Sequence, residues 1–241
     1  MSKNTNDKNY VYGRIPALNV ISNNKALNAY LQKGFSDEKI LKAIKEHKIN
    51  FCFVDVSKLD ELSNHGNHQG VVLETKPFEY SDLNSIINYS KKHDKPLILI
   101  LDEIEDPHNF GAIIRSADAF GVDGIIIKSH NQVLVTPVVS KVSTGAIEFM
   151  RIAQVSNISN AIKKLKDNGY WVYAADGSGS TNYQDVKFDG PTVIIVGSEG
   201  RGISKLVLEN SDVIIKIPMQ GHVNSLNVSV ATGILLSRIR N

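Results

Sequence analysis

The chain has 241 residues, 42% of them hydrophobic and 22% charged, with a formal net charge of +2. That is enough for one large domain or two modest ones, and the composition is that of an ordinary globular protein rather than a disordered or collagen-like one. The near balance of charge excludes a uniformly basic nucleic-acid binder, the single cysteine, Cys52, excludes an internal disulfide or a multi-cysteine metal site, and no apolar run reaches the ~18 residues of a membrane span.

In chain order, Met1 to Asn9 are polar and lack the apolar core of a signal peptide, so a cytoplasmic protein is expected. From Tyr10 to about Thr75 the pattern is that of a small α/β unit, and its slight basic excess hints at RNA. Ala17 to Leu31 and Asp37 to Lys48 have helical spacing. Phe51 to Val56 reads as a short buried strand with Cys52 as a structural thiol. A polar loop, Ser63 to Gly70, leads to a second strand, Val71 to Glu74. Lys76 and Pro77 break the pattern, and Tyr80 to His93 suits a short connecting helix. The expected division is therefore 1–75, a linker over 76–95, and a second domain over 96–241.

From Pro96 onward, apolar runs alternate with helical segments. Strands are expected at Leu97–Leu101, Gly124–Ile127, Phe149–Ile152, Trp171–Ala174, Val193–Val196 and Val213–Ile217. Helices are expected at Phe110–Phe120, Ile158–Asn168 and Leu226–Ile239. This alternation predicts an α/β fold whose mostly parallel sheet is covered on both faces.

Three of the strand ends run into polar, glycine-bearing segments. The first spans Asp106 to Gly121 and holds Asn109, Gly111 and Arg115. The second runs from Gly197 through Glu199 and Gly200 to Gly202. The third runs from Ile217 and Pro218 to Ser225, Leu226 and Asn227, where a helix is expected to open. Ligands gather at the carboxyl ends of strands in open α/β sheets, so the three suggest one composite site. The glycine loop reads equally as a phosphate cradle or a structural turn, since it lacks the Lys-Ser/Thr ending of a P-loop and the spacing of a dinucleotide fingerprint. Arg115 reads as a solvated helix residue or as a guanidinium held for a phosphate or hydroxyl. His65, His68, His108, His130 and His222 show no ligand spacing, so no metal is expected. Ser225 lacks the setting of a hydrolase nucleophile. Asp102, Glu103, Glu105 and Asp106 read as loop and cap residues.

Together the three segments resemble the three motifs of the SpoU (TrmH-type) RNA ribose 2′-O-methyltransferases, a branch of the SPOUT class. Asn109, Gly111 and Arg115 match the first motif, Gly197, Glu199, Gly200 and Gly202 the second, and Pro218, Ser225, Leu226 and Asn227 the third. The front end is similar to the family's ribosomal-protein-like RNA-binding module, through Tyr12-Gly-Arg14 and His68-Gln-Gly-Val71, and departs from it at Ile15-Pro16. The resemblance covers nearly the whole chain. This layout is most like that of members that methylate a guanosine ribose in large-subunit ribosomal RNA.

The resemblance implies a C-terminal domain tied in a deep trefoil knot, a homodimer through that domain, and S-adenosylmethionine as cofactor. The partner implied is ribosomal RNA or a pre-ribosomal particle, with no membrane involved. It implies Arg115 as the central catalytic group, with Asn109, Glu199, Ser225 and Asn227 fixing it, the ribose and the cofactor. Gly197, Gly200, Ile217 and Leu226, with Ala174 and Thr144, would hold the cofactor. The apolar C-terminal helix suits a dimer face or a helix buried within its own domain. A transfer-RNA enzyme, or an RNA binder without catalysis, are the competing readings.

Overall fold

The computed structural model describes residues 9–240; Met1 to Lys8, which carry most of the signal-peptide reading, lie outside the described residues. The chain forms two units: residues up to Glu79 together with Val135–Glu148, and Tyr80–Leu134 together with Phe149 onward.

The first unit is built from β1 (Asn9–Tyr12), α1 (Arg14–Ser22), β2 (Ala26–Gln32), α2 (Glu38–Glu46), β3 (Asn50–Val54), α3 (Val56–Leu62) and β4 (Val71–Thr75). Its sheet has the order β1-β4-β2-β3, with β4 antiparallel to both neighbours and β2 parallel to β3. Ala17, Val20 and Ile21 of α1 and Ile40 and Ile44 of α2 bury against Val11, Ala29, Leu31, Val71 and Leu73.

Two expectations are corrected here. The helix expected over Ala17–Leu31 ends at Ser22, because Asn24 takes a left-handed φ of 55° and the chain re-enters as β2. Pairing to β4 and β3 on its two sides overrides the helix-like spacing of Ala26 to Leu31, and burial there alternates with period two. The strand expected to be buried around Cys52 is instead a sheet edge: Phe51, Cys52 and Phe53 are all exposed, since among the described residues only β2 lies beside β3.

The second unit begins with α4 (Leu83–Ser90), β5 (Leu97–Asp102), α5 (Pro107–Ala119) and β6 (Gly124–Lys128). A short helix, α6 (Pro137–Val142), then groups with the first unit. The chain returns as β7 (Ile152–Val155), α7 (Ile158–Asp167), β8 (Trp171–Ala175), β9 (Thr181–Asn182), β10 (Thr192–Gly197), α8 (Lys205–Asn210), β11 (Val213–Lys216) and α9 (Val228–Arg240). Its seven strands, in the order β7-β6-β5-β10-β8-β11-β9, pair in parallel throughout.

The central strands are continuous apolar runs, with Leu97 to Leu101 and Val193 to Ile195 at or below 1% exposure, as a sheet covered on both faces requires. Residues 83–90, expected within a connecting stretch, are part of this core: Ile86 and Ile87 bury against the sheet because α4 lies over β6 and β7. The strand expected at Phe149–Ile152 starts only at Ile152, where it pairs with Ile125, and Phe149 is exposed. No helix among the described residues is long and apolar enough to cross a membrane.

Candidate active site

Strand order sets where a ligand belongs. From β5 the chain steps outward to β6 and β7, then returns through β8 and β10 to the other side of β5. The order therefore reverses between β5 and β10, and a crevice opens beyond the carboxyl ends of that pair. The two strands end level, with Gly197 opposite Asp102. The first two polar segments begin there, and the third enters from β11.

Asn227 joins all three. Its side-chain oxygen accepts from the backbone N–H groups of Ser229 (2.9 Å) and Val230 (3.3 Å) and from the Ser229 hydroxyl (2.6 Å), capping α9. Its amide nitrogen donates to Asn109 Oδ1 at 2.8 Å and to Glu199 Oε1 at 2.7 Å. All the polar capacity of one side chain is thus spent on fixing α5, the glycine loop and α9 together. The helix expected to open on Ser225 starts one residue after this cap, at Val228.

Asn109 is buried in the first turn of α5, whose N-cap is Asp106, accepting from His108 N at 2.9 Å. The glycine loop folds back on itself, with Ser198 and Gly202 exchanging backbone hydrogen bonds of 3.1 and 2.9 Å. Gly197 must lack a side chain, because a Cβ would overlap the Gly202 backbone, and Gly200 takes φ +91°. A cavity of about 220 Å³ opens between the motifs, lined by Ile104, Glu105, Asp106, Asn109, Ser198, Glu199, Arg201 and Val228. Among the described residues the Ser198 hydroxyl, buried on its wall, has no hydrogen-bond partner. An orphaned hydroxyl of this kind costs free energy until a ligand or water meets it.

Charged groups brace the same end of the sheet. Lys128 bonds Glu103 at 2.6 Å and lies 3.7 Å from the buried Asp102. Asp102 in turn accepts from Ser204 N at 2.9 Å, and Arg201 pairs with Glu105 at 2.7 Å. The Lys128 bond holds the Glu103 carboxyl below its usual range, and the Glu103 bond pushes Lys128 up. Burial pushes Asp176, just past β8, upward, but donation from the Ser178 hydroxyl and nearby backbone N–H groups leaves it lowered.

The expected site residues are thus distributed unevenly. Asn109, Glu199 and Asn227 meet directly, and Gly197 and Gly200 shape the loop beside them. Ile217 and Leu226, both half-buried, flank the third segment, Ser225 is exposed within it, and Ala174 is buried in β8. Arg115 does not join the cluster: six residues beyond Asn109 it stands about 9 Å farther along α5 and about 240° round it. Its side chain is exposed and makes no ion pair or hydrogen bond among the described residues. Thr144 lies in the segment that groups with the first unit.

Sequence reasoning missed Ser198, Arg201 and Lys128; only the position of Ser198 between Gly197 and Glu199 could have drawn notice. Among the described residues no cluster of His, Cys, Asp and Glu could hold a metal ion.

In the first unit, the two sequence motifs meet. The Gly13 N–H reaches the Val71 carbonyl at 3.3 Å, and Gln69 Oε1 accepts from Arg14 N at 2.9 Å. His68 Nδ1 accepts from Gly70 N at 3.0 Å, which leaves the ring's proton on Nε2, toward Asp60. A polar groove of about 700 Å³ runs along them, lined by Arg14, Gln32, Asn67 and Gln69 among others.

A profile of the SpoU rRNA Methylase family matches residues 96–237, and a profile of RNA 2′-O ribose methyltransferase substrate binding matches residues 10–81. The chain belongs to the SpoU (TrmH) family of RNA methyltransferases. A Staphylococcus haemolyticus protein assigned to the TrmH family of tRNA/rRNA methyltransferases is 42% identical over 224 residues, covering 91% of this chain and 90% of its own. The SpoU methyltransferase AviRb of Streptomyces viridochromogenes superposes with a TM-score of 0.84 at 22% identity, over 97% of this chain and 88% of that one. An rRNA methyltransferase of Sinorhizobium meliloti, solved with AdoMet bound, superposes with a TM-score of 0.81 at 24% identity, over 97% and 87%. At these identities the two structures speak for the shared fold.

Proposed function

We propose that this member transfers a methyl group from S-adenosylmethionine to a ribose 2′-hydroxyl of RNA, its target being a guanosine of large-subunit ribosomal RNA. The observation that carries the reading is the Asn227 side chain, which binds Asn109 and Glu199 at once and so brings the family's three motifs to one cavity. The match of the first unit to a ribose-methyltransferase substrate-binding profile supports RNA as substrate and the ribose as acceptor.

When bound, S-adenosylmethionine supplies a methyl group on a sulfonium centre. The residues present suit such a guest: with Arg201 neutralising Glu105, Asp106 and Glu199 leave the cavity lining acidic, which favours a cationic centre, and Ser198 offers a hydroxyl unbonded among the described residues. Gly197, Gly200, Ile217 and Leu226, with Ala174, are the groups proposed to hold it. A 2′-hydroxyl is a poor nucleophile, so it must be aligned and relieved of its proton. Arg115, exposed and without an ion pair among the described residues, contacts the hydroxyl or the adjacent phosphate and stabilises the charge that develops there. Asn109, Glu199 and Ser225 orient the ribose by hydrogen bonds, and Asn227, its own polar groups already engaged, holds the first two in place. The proposal includes a trefoil-knotted second unit and a homodimer formed through it.

The test is methyl transfer from radiolabelled S-adenosylmethionine to ribosomal and transfer RNA from cells lacking the gene, with the modified nucleotide mapped. Label as a 2′-O-methyl on a large-subunit guanosine is the expected result. Label confined to transfer RNA would keep the chemistry and overturn the target. Absence of cofactor binding would overturn the reaction itself.

A further inference from the structure

The methyl-transfer reading leaves the free edge of the first unit's sheet without a use. Among the described residues β3 pairs with β2 on one side only. Phe51 and Phe53, 43% and 49% exposed, stand on it, with Val56 just beyond at 45%. Natural sheet edges are guarded by charged side chains, proline or a bulge, and Asn50–Val54 carries neither charge nor proline.

The backbone fixes which groups are available. The Val54 carbonyl accepts from Lys33 N at 3.0 Å, so Val54 turns its polar groups toward β2. By the two-residue alternation of a strand, Cys52 and Asn50 do the same, and Phe51 and Phe53 turn their N–H and C=O outward. We infer that this edge pairs with the same strand of a second copy of the chain, antiparallel, about a twofold axis at Cys52.

In that register Phe51 of each copy faces Phe53 of the other, and the outward groups of these two residues satisfy one another across the axis. Cys52 stands opposite its own copy in a non-hydrogen-bonded pair, where Cα atoms lie about 4.5 Å apart. Phe51 and Phe53 share the sheet face of Ala29 and Leu31, their register partners, so the pairing joins four rings into a strip that continues the unit's core. At the ends, exposed Lys48 precedes the strand and Asp55, already paired with its own Lys33 at 2.9 Å, follows it, so antiparallel copies set Lys48 beside that ion pair, whereas parallel copies would set Lys48 against Lys48. The surface is thus self-complementary, which is what an isologous contact requires.

The experiment cross-links the full chain with a short bis-maleimide and reads a denaturing gel. The expected result is a covalent dimer through Cys52, lost in Cys52→Ser and not regained when the thiol is moved to Val56→Cys in that background. The homodimer proposed through the second unit would survive loss of this edge, so the readout for Phe51→Glu with Phe53→Glu is the Cys52 cross-link itself, expected to be lost while far-ultraviolet circular dichroism is kept. No cross-link from a Cys52 that reacts fully with a monofunctional maleimide would overturn the inference. So would an undiminished Cys52 cross-link in the folded double variant, including the case in which that variant loses RNA binding instead, which would assign the aromatics to RNA. Should the double variant unfold, the position dependence of the cross-link decides. Methyl transfer enters none of these readouts, so failure here leaves the proposed reaction standing.

Discussion

At the scale of single residues, the site turns on Asn227. Replacing it by Ala removes donation to Asn109 and Glu199 and the cap on α9 together. Methyl transfer is expected to fall by about 10- to 100-fold, the equivalent of ~1.5–3 kcal/mol of hydrogen bonding to neutral and charged partners. Asn227→Asp should do worse, since it turns a donor into a carboxylate facing Glu199; steady-state kinetics of the two variants checks the order. For Arg115→Ala the expectation is different: a loss of about 10²–10³-fold in kcat with cofactor binding little changed, read by calorimetry beside turnover. Near-normal turnover would remove Arg115 from the chemistry. That Asn109, Glu199 and Asn227 would come together was legible in the sequence because each lies in a polar segment that follows an apolar strand, and such strand ends converge in an open α/β sheet. The separation of Arg115 from them was less so, since six residues along a helix place it on another face, and the unpaired Ser198 hydroxyl is a property of packing alone.

At the scale of elements, two positions show how local chemistry holds the frame. Asp37 caps α2, accepting from Lys39 N at 3.1 Å and Ile40 N at 3.2 Å, and α2 supplies Ile40 and Ile44 to the first unit's core. Asp37→Ala is expected to cost about 1 kcal/mol, measurable as a lower denaturant midpoint with an unchanged slope. Gly197→Ala meets backbone rather than a movable side chain. It should cost roughly 1–3 kcal/mol, a melting shift of about 2–10 °C, and displace the Glu199 loop. The elements of the second unit could be read from sequence because a doubly covered parallel sheet makes its strands unbroken apolar runs. The first unit was harder. Ala26 to Leu31 carries apolar residues at a spacing that suits a helix, and only pairing with distant β4 and with β3 makes it a strand. The exposure of β3 has the same origin: being an edge is a property of sheet order, which no window of sequence contains.

At the scale of the whole molecule, what sequence could not reach is long-range grouping and long-range charge. Val135–Glu148 lies between two strands of the second unit yet groups with the first, where Lys25 pairs with Glu148 at 2.8 Å. The charge network at the end of β5 and β6 is similarly assembled from distant positions, and it gives global stability a pH signature. Glu103 is held below its unfolded value by the bond from Lys128, so its contribution is full above about pH 4.5 and is lost as pH falls through its lowered folded value. Lys128 is held above its unfolded value by the same bond, so its contribution is full below about pH 10.5 and is lost as pH rises through its raised folded value. Between these limits the pair acts at full strength. Glu103→Gln should therefore lower stability by a nearly constant amount across neutral pH, about 0.5–1 kcal/mol for a partly exposed pair. The difference from the parent chain should then shrink toward zero as pH drops well below about 4.5, because the parent loses a charge that the variant never had. Melting temperatures of the two proteins from pH 3 to pH 9 measure this directly. A gap that widened in acid would mean that Glu103 is not the group Lys128 stabilises.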